Sequence, residues 1–202
     1  MCAQENDPHA TSVHPPLALE DRRLLLALAR STIASAFEGE HPPVLEDPPP
    51  ALRVPRGVFV SLHRGGQLRG CIGTLEAKEP LWQVTERMAL ASAFDDPRFP
   101  PLAPEELDLV DIEVDVLGPP RPASPRDIVP GLHGVVLTLG GSRGVFLPQV
   151  ALEQGWDREE LLRQLCRKAS LPDGAWKERD ARLYVFEAER FSERDLGRHR
   201  FA

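Results

Sequence analysis

The chain has 202 residues, 42% of them hydrophobic and 27% charged, with a formal net charge of −7. That length can bury a core without disulfide or metal staples, as one domain or two closely packed lobes, and the acidic balance argues against a nucleic-acid surface, which needs a basic footprint. Three scattered cysteines, Cys2, Cys71 and Cys166, form no CxxC pair, so they signal no zinc ribbon, redox dithiol or iron–sulfur cluster, and they suit a reducing cytoplasm.

Residues 1–16 carry Pro8, Pro15 and Pro16, lack periodicity and read as a disordered lead. His9 and His14 there are expected to be solvated. The lead has acidic residues and no apolar centre, so it is no signal peptide, and nowhere does the chain approach the ~20 apolar residues of a membrane helix. Leu17 to Glu38 predicts a helix: Glu20 and Asp21 suit its first turn, Leu24, Leu25, Leu28, Ile33 and Phe37 form an apolar stripe, and Gly39 stops it. His41 to Pro55, rich in proline, predicts a stiff extended crossing.

Gly57 to Leu75 is the stretch with the strongest chemical signal. Val58, Val60 and Leu62 alternate with Phe59, Ser61 and His63, and Gly65-Gly66 supplies a tight turn. A two-residue loop pairs Val60 with Cys71 and Leu62 with Arg69. Arg69 and Cys71 then share the face of Val58, Val60 and Leu62, with His63 on the other. Gly70 and Gly73 inside a strand imply a bulge, a bend or the close approach of a backbone or ligand. Cys71 between them is the candidate reactive thiol, with Arg69 placed to lower its pKa or hold an anion. The alternative is a small buried hydrophobe, with Arg69 reaching solvent.

Glu79-Pro80 opens a helix over Leu81 to Phe94, stopped by Asp95-Asp96-Pro97. Asp95 and Asp96 have the chemistry to bind a cation, although helix termination is the plainer reading. Ile112, Val114 and Val116 alternate with Asp111, Glu113 and Asp115, which predicts a one-sided strand with an acidic outer face. A proline-rich loop spans Gly118 to Pro130. Val135 to Leu139 and Gly144 to Leu147 then form a second hairpin around Gly140-Gly141, an echo of the first that raises the idea of an internal duplication. His133, at its start, is the best histidine partner for Cys71, as a candidate base. Asp157 caps a further helix carrying Leu161, Leu162, Leu165 and Cys166, Leu183 to Ala188 is a closing strand, and residues 192–202 form a charged tail.

The ordered blocks LRGCIGTLEAKEPL, AFDDPRFPPL, HGVVL, GVFLPQVALEQGWD and LCRKASLP resemble the AMMECR-type domain family, whose prokaryotic members are called AmmeMemoRadiSam system protein A. The resemblance covers roughly Leu19 to Phe191. It implies a single domain over 17–191, and it marks Arg69, Gly70, Cys71, Ile72 and Gly73 as the site without assigning roles. It also implies a Memo-like protein and a radical SAM protein as partners, the radical chemistry belonging to the latter.

The expected fold is α+β, with antiparallel or mixed sheet, packed helices and a lobe division near 118–130. Two functions follow. One is a ligand or modification site around Cys71, with His133 as base and Arg69, Gly70 and Gly73 binding an unidentified small-molecule or protein substrate. The other is a non-catalytic adaptor in which Cys71 is packing. The residues call for no cofactor or metal.

Overall fold

The computed structural model describes residues 15–42 and 44–198. The expectations for Cys2, His9, His14 and most of the lead lie outside the described residues. Two compact units emerge, one built on Leu17–Leu117 with the segment from Ala188, the other on Gly118–Glu187. From Leu17 onward the chain crosses between them twice, at Leu117/Gly118 and at Glu187/Ala188, where the Gly118 amide donates to the Glu187 carbonyl at 2.8 Å.

The first unit begins with α1, Leu19–Glu38, which ends where expected: Gly39 takes a φ of 68° and caps the last carbonyls. The crossing expected to be extended contains one helical turn, α2, Pro50–Arg53, started by proline at its first position. Then come β1, Val58–Arg64, β2, Gln67–Thr74, and α3, Leu81–Phe94. A 3-10 turn over Pro104–Leu109 leads into β3, Val110–Leu117. The second unit supplies β4, Arg121–Ala123, β5, Gly134–Leu139, β6, Ser142–Phe146, α4, Pro148–Glu153, α5, Arg158–Lys168, and β7, Arg182–Phe186. The chain returns through β8, Ala188–Ser192, and α6, Glu193–Leu196.

The fold is α+β with two fully antiparallel four-stranded sheets, ordered β2-β1-β3-β8 and β4-β7-β5-β6. In the first unit, Val58, Val60 and Leu62 of β1 and Ile112, Val114 and Val116 of β3 are sealed against Leu25 and Ile33 of α1 and Val84 and Met88 of α3. In the second, Val135, Leu137 and Val185 pack under Leu161, Leu162, Leu165 and Cys166 of α5. The Asp157 side chain caps α5, accepting from the Glu160 amide at 2.8 Å.

Residues read as a charged tail carry a structural anchor. The Glu193 side chain is wholly buried. It pairs with both Nε and Nη2 of Arg30 and accepts the Ile112 amide at 2.8 Å, while Arg30 also donates to the Leu107 and Val110 carbonyls. A net charge pattern cannot reveal this, because a glutamate in a polar run looks solvated until a distant arginine is brought to it.

Two outcomes test this packing. Glu193→Ala strands the Arg30 charge and an amide, and is expected to cost about 3–5 kcal/mol of unfolding free energy, read by denaturant titration. Burial lifts the Glu86 carboxyl on α3 to about 7. A carboxyl raised above its unfolded value withdraws stability as pH climbs from the unfolded value through the folded one. Glu86→Gln is thus expected to raise Tm near about pH 8 and leave it unchanged near about pH 4, and an equal Tm at the higher pH overturns the assignment.

Candidate functional site

The hairpin departs from simple alternation at one place. Ser61 pairs with Cys71, Leu62 with Gly70 and His63 with Leu68, leaving Arg69 as the extra residue of a bulge. The expected pairing of Val60 with Cys71 is therefore corrected by one residue. Side chains in a strand alternate, so the shift turns Cys71 away from the Val60 and Leu62 face onto that of Phe59, Ser61 and His63. His63, set aside as lying on the wrong face, shares the face of the thiol.

Each glycine of the motif has a local cause. A Cβ on Gly70 would stand 2.2 Å from the Ser92 carbonyl oxygen near the end of α3. A Cβ on Gly73 would stand 2.2 Å from the Phe59 ring, which lies across that position. A helix backbone and an aromatic ring thus fill the space that the sequence left open to a ligand. The Ser92 hydroxyl accepts from the Ile72 amide at 2.8 Å and donates to the Val60 carbonyl at 2.7 Å, bridging the two strands.

The outer edge of β2 is closed by the loop after α3. Asp96, 5% exposed, accepts the Cys71 amide at 2.8 Å, and Arg98 donates to the Cys71 carbonyl at 3.0 Å. Arg98 also forks onto Asp96 at 2.9 and 2.7 Å. Those bonds from Arg98, with the Cys71 amide, hold the Asp96 carboxyl well below the usual carboxylate range. Asp96 is thus committed to holding the backbone of Cys71, whereas Asp95 is exposed.

The thiol itself is half-buried. Burial pushes it up from its ordinary value, against the Ser61 hydroxyl, which bonds it, and the nearby Arg98 charge. It is a neutral thiol at pH 7. The cation beside it is Arg98. Arg69 turns instead to Glu106, forking onto both carboxylate oxygens at 3.0 and 2.7 Å, and donates to the Pro100 carbonyl at 3.0 Å. The Arg69 bonds push Glu106 down to about 2. Arg69 and Arg98 also lie 6.0 and 5.6 Å from the Phe99 ring.

One cross-strand row sets Cys71, Ser61, Glu113 and Ser192 side by side on the outer face. In the next row Asp115, 1% exposed, takes a two-pronged pair from Arg190 at 3.0 and 3.2 Å. Of the acidic face expected on this strand, Asp115 is buried and paired, Glu113 pairs with the same Arg190 at 3.4 Å, and Asp111 stays partly exposed beside Arg198 at 3.5 Å. Among the described residues no group of three acidic, histidine or cysteine side chains is arranged to hold a metal ion. Ser61, Arg98 and Arg190 were not nominated from the sequence, and Asp96 was nominated only as a cation ligand or a helix stop, although the AFDDPRF string that holds Asp96 and Arg98 was visible.

His133 belongs to the second unit and Cys71 to the first. The ring of His133 is buried; its Nδ1 accepts the Val129 amide at 3.2 Å, and its Nε2 lies 3.4 Å from Nη2 of Arg121. Both ring nitrogens thus face donors of the same unit.

A family model described as AMMECR1 matches residues 26–191. A protein of Methanothermobacter thermautotrophicus is 43% identical over 188 residues, covering 89% of this chain and 98% of that one. One from Thermococcus gammatolerans is 43% identical over 183 residues, covering 84% and 88%. The crystal structure of the uncharacterized protein PH0010 from Pyrococcus horikoshii superposes with a TM-score of 0.82 at 40% identity, over 88% of this chain and 93% of that one. Among the described residues no helix is long and apolar enough to cross a membrane.

Asp96→Asn leaves Arg98 and the Cys71 amide poorly matched, and is expected to cost about 1–3 kcal/mol near neutral pH. A depressed carboxyl contributes stability above its unfolded pKa and loses it as pH falls toward the folded one. The difference between wild type and variant, followed by thermal melts, should therefore shrink in acid.

Proposed function

Since the chain belongs to the AMMECR1 family and keeps a neutral, half-buried thiol at its signature motif, we propose that it is a binding component without thiol chemistry of its own. Cys71, with Ser61 beside it, contributes to recognition as a weak donor and a soft contact surface. The observation carrying this reading is geometric: a nucleophilic cysteine needs its thiolate, which a neighbouring cation or base must stabilise, and the guanidinium beside this thiol, Arg98, is forked onto Asp96. Arg69, the guanidinium best placed in sequence to do so, is occupied by Glu106.

The clamp fits the same role. Asp96, Arg98 and Ser92 hold the backbone on either side of Cys71, so the sulfur is presented from a fixed frame, and a preorganised surface binds with less ordering cost. The resemblance of the motif blocks makes the Memo-like and radical SAM proteins of one cytoplasmic system the proposed partners. Within that system this chain would present or receive a substrate, leaving the radical step to the partner.

Alkylation of the native protein across pH tests the central point, with Cys2→Ser and Cys166→Ser in the background. The expected outcome is half-maximal reactivity of Cys71 above the ordinary thiol value of about 8.5. A midpoint well below that value overturns the reading in favour of a nucleophile. Calorimetric titration of each purified partner into the protein tests the binding role directly, with measurable heat expected for at least one of them.

A further inference from the structure

The two units, each taken by itself, are built on the same plan. In the first, β1 and β2 form a hairpin around Gly65-Gly66, α3 follows, and β3 pairs with the far side of β1. In the second, β5 and β6 form a hairpin around Gly140-Gly141, α5 follows after α4, and β7 pairs with the far side of β5. Each sheet is completed by one more antiparallel strand, β8 beside β3 and β4 beside β7.

Away from the bulge at Arg69 the registers coincide. Leu62 opposite Gly70 corresponds to Leu137 opposite Gly144, and each glycine follows an arginine, Arg69 and Arg143. The bulge at Arg69 accounts for the one extra residue between turn and glycine in the first unit. Both glycines do the same work. A Cβ on Gly144 would stand 2.6 Å from the Leu165 carbonyl oxygen of α5, as one on Gly70 would stand 2.2 Å from that of Ser92 in α3. The core-facing rows agree as well: Val60 and Val114 match Val135 and Val185. All four are fully buried.

The outer row does not agree. Cys71, Ser61, Glu113 and Ser192 stand where the second unit has Val145, Val136, Tyr184 and Pro122. The plan itself is therefore satisfied by valines at the two hairpin positions. A serine that is 5% exposed and a thiol beside it are not what the backbone requires. Polar groups are costly to bury relative to well-packed aliphatic ones, and departures from local consistency concentrate where function demands them.

We infer that the two units are copies of one hairpin–helix–strand motif, and that Ser61 and Cys71 are retained in the first copy for recognition and not for folding. The second half of this statement rests on the binding role proposed above. It adds Ser61 as a residue of that site and separates the Arg-Gly pair, which serves the fold in both copies, from the Ser–Cys pair, which serves the site in one.

The test is a set of four variants of the full-length chain. Ser61→Val with Cys71→Val is expected to give a Tm equal to or above wild type with unchanged circular dichroism, and a lower Tm overturns the claim that the pair is dispensable for folding. In the partner titration the same double variant is expected to lose at least about tenfold in affinity, and unchanged affinity overturns the recognition claim. Gly70→Ala and Gly144→Ala are each expected to lower Tm, since both would drive a methyl group into a helix carbonyl, and a neutral Gly144→Ala overturns the equivalence of the copies. Val136→Ser with Val145→Cys should lower Tm by placing polar groups in the apolar row, and an unchanged Tm overturns the assignment of that row as a packing surface. A low midpoint in the alkylation experiment would remove the proposed function and leave the glycine and valine comparisons standing.

Discussion

The first unit depends on how closely α3 lies against β2. The Ser92 carbonyl rests where the side chain of residue 70 would be, and its hydroxyl joins Val60 to Ile72 across the hairpin. Only glycine permits that approach, and the approach in turn fixes where α3 ends and where the Asp96–Arg98 loop begins. That loop then closes the edge of the sheet on either side of Cys71, leaving the cysteine with its backbone fully engaged and its sulfur turned outward. An open edge strand invites pairing with other chains. Here the edge is blunted by a carboxylate and a guanidinium that also hold the backbone of Cys71.

Most elements were legible because their causes are local. The stripe of α1 with Gly39, the proline opening α3, the alternation of β3 and the cap at Asp157 each rest on neighbours within a few positions, and each was found within a residue or two of expectation. What escaped was non-local. The anchoring of Glu193 by Arg30 spans most of the chain, and the return crossing at Glu187 is visible only when β8 is seen to pair with β3. The short helices Pro50–Arg53 and Pro148–Glu153 carry too few residues for a periodic signal.

The candidate site was legible as a string and not as chemistry. Gly70 and Gly73 were read as a bulge, a bend or the close approach of a backbone or ligand, and what lies close to them is Ser92 and Phe59. A single bulge at Arg69 carried Cys71 to the opposite face, which no composition or spacing argument could reveal, since bulges answer to the packing of the whole edge. Arg69 was read for its nearness in sequence to Cys71. In three dimensions the Asp-rich stop after α3 supplies the nearby guanidinium, and Arg69 is drawn to Glu106 instead.

The double crossing at Leu117/Gly118 and Glu187/Ala188 imposes an order of events on synthesis. As the chain leaves the ribosome, β1, β2 and β3 emerge early, yet the strand that completes their sheet comes only after the entire Gly118–Glu187 segment has been made. During that interval β3 offers a bare edge to any passing strand, its valine-rich inner face roofed by α1 and α3 alone. The carboxylates Asp111, Glu113 and Asp115 alternate along that waiting edge, and before Arg190 and Arg198 arrive their mutual repulsion would discourage a second nascent copy from lying alongside. The charges that end paired with Arg190 and Arg198 would thus first act as sentinels for an unfinished sheet.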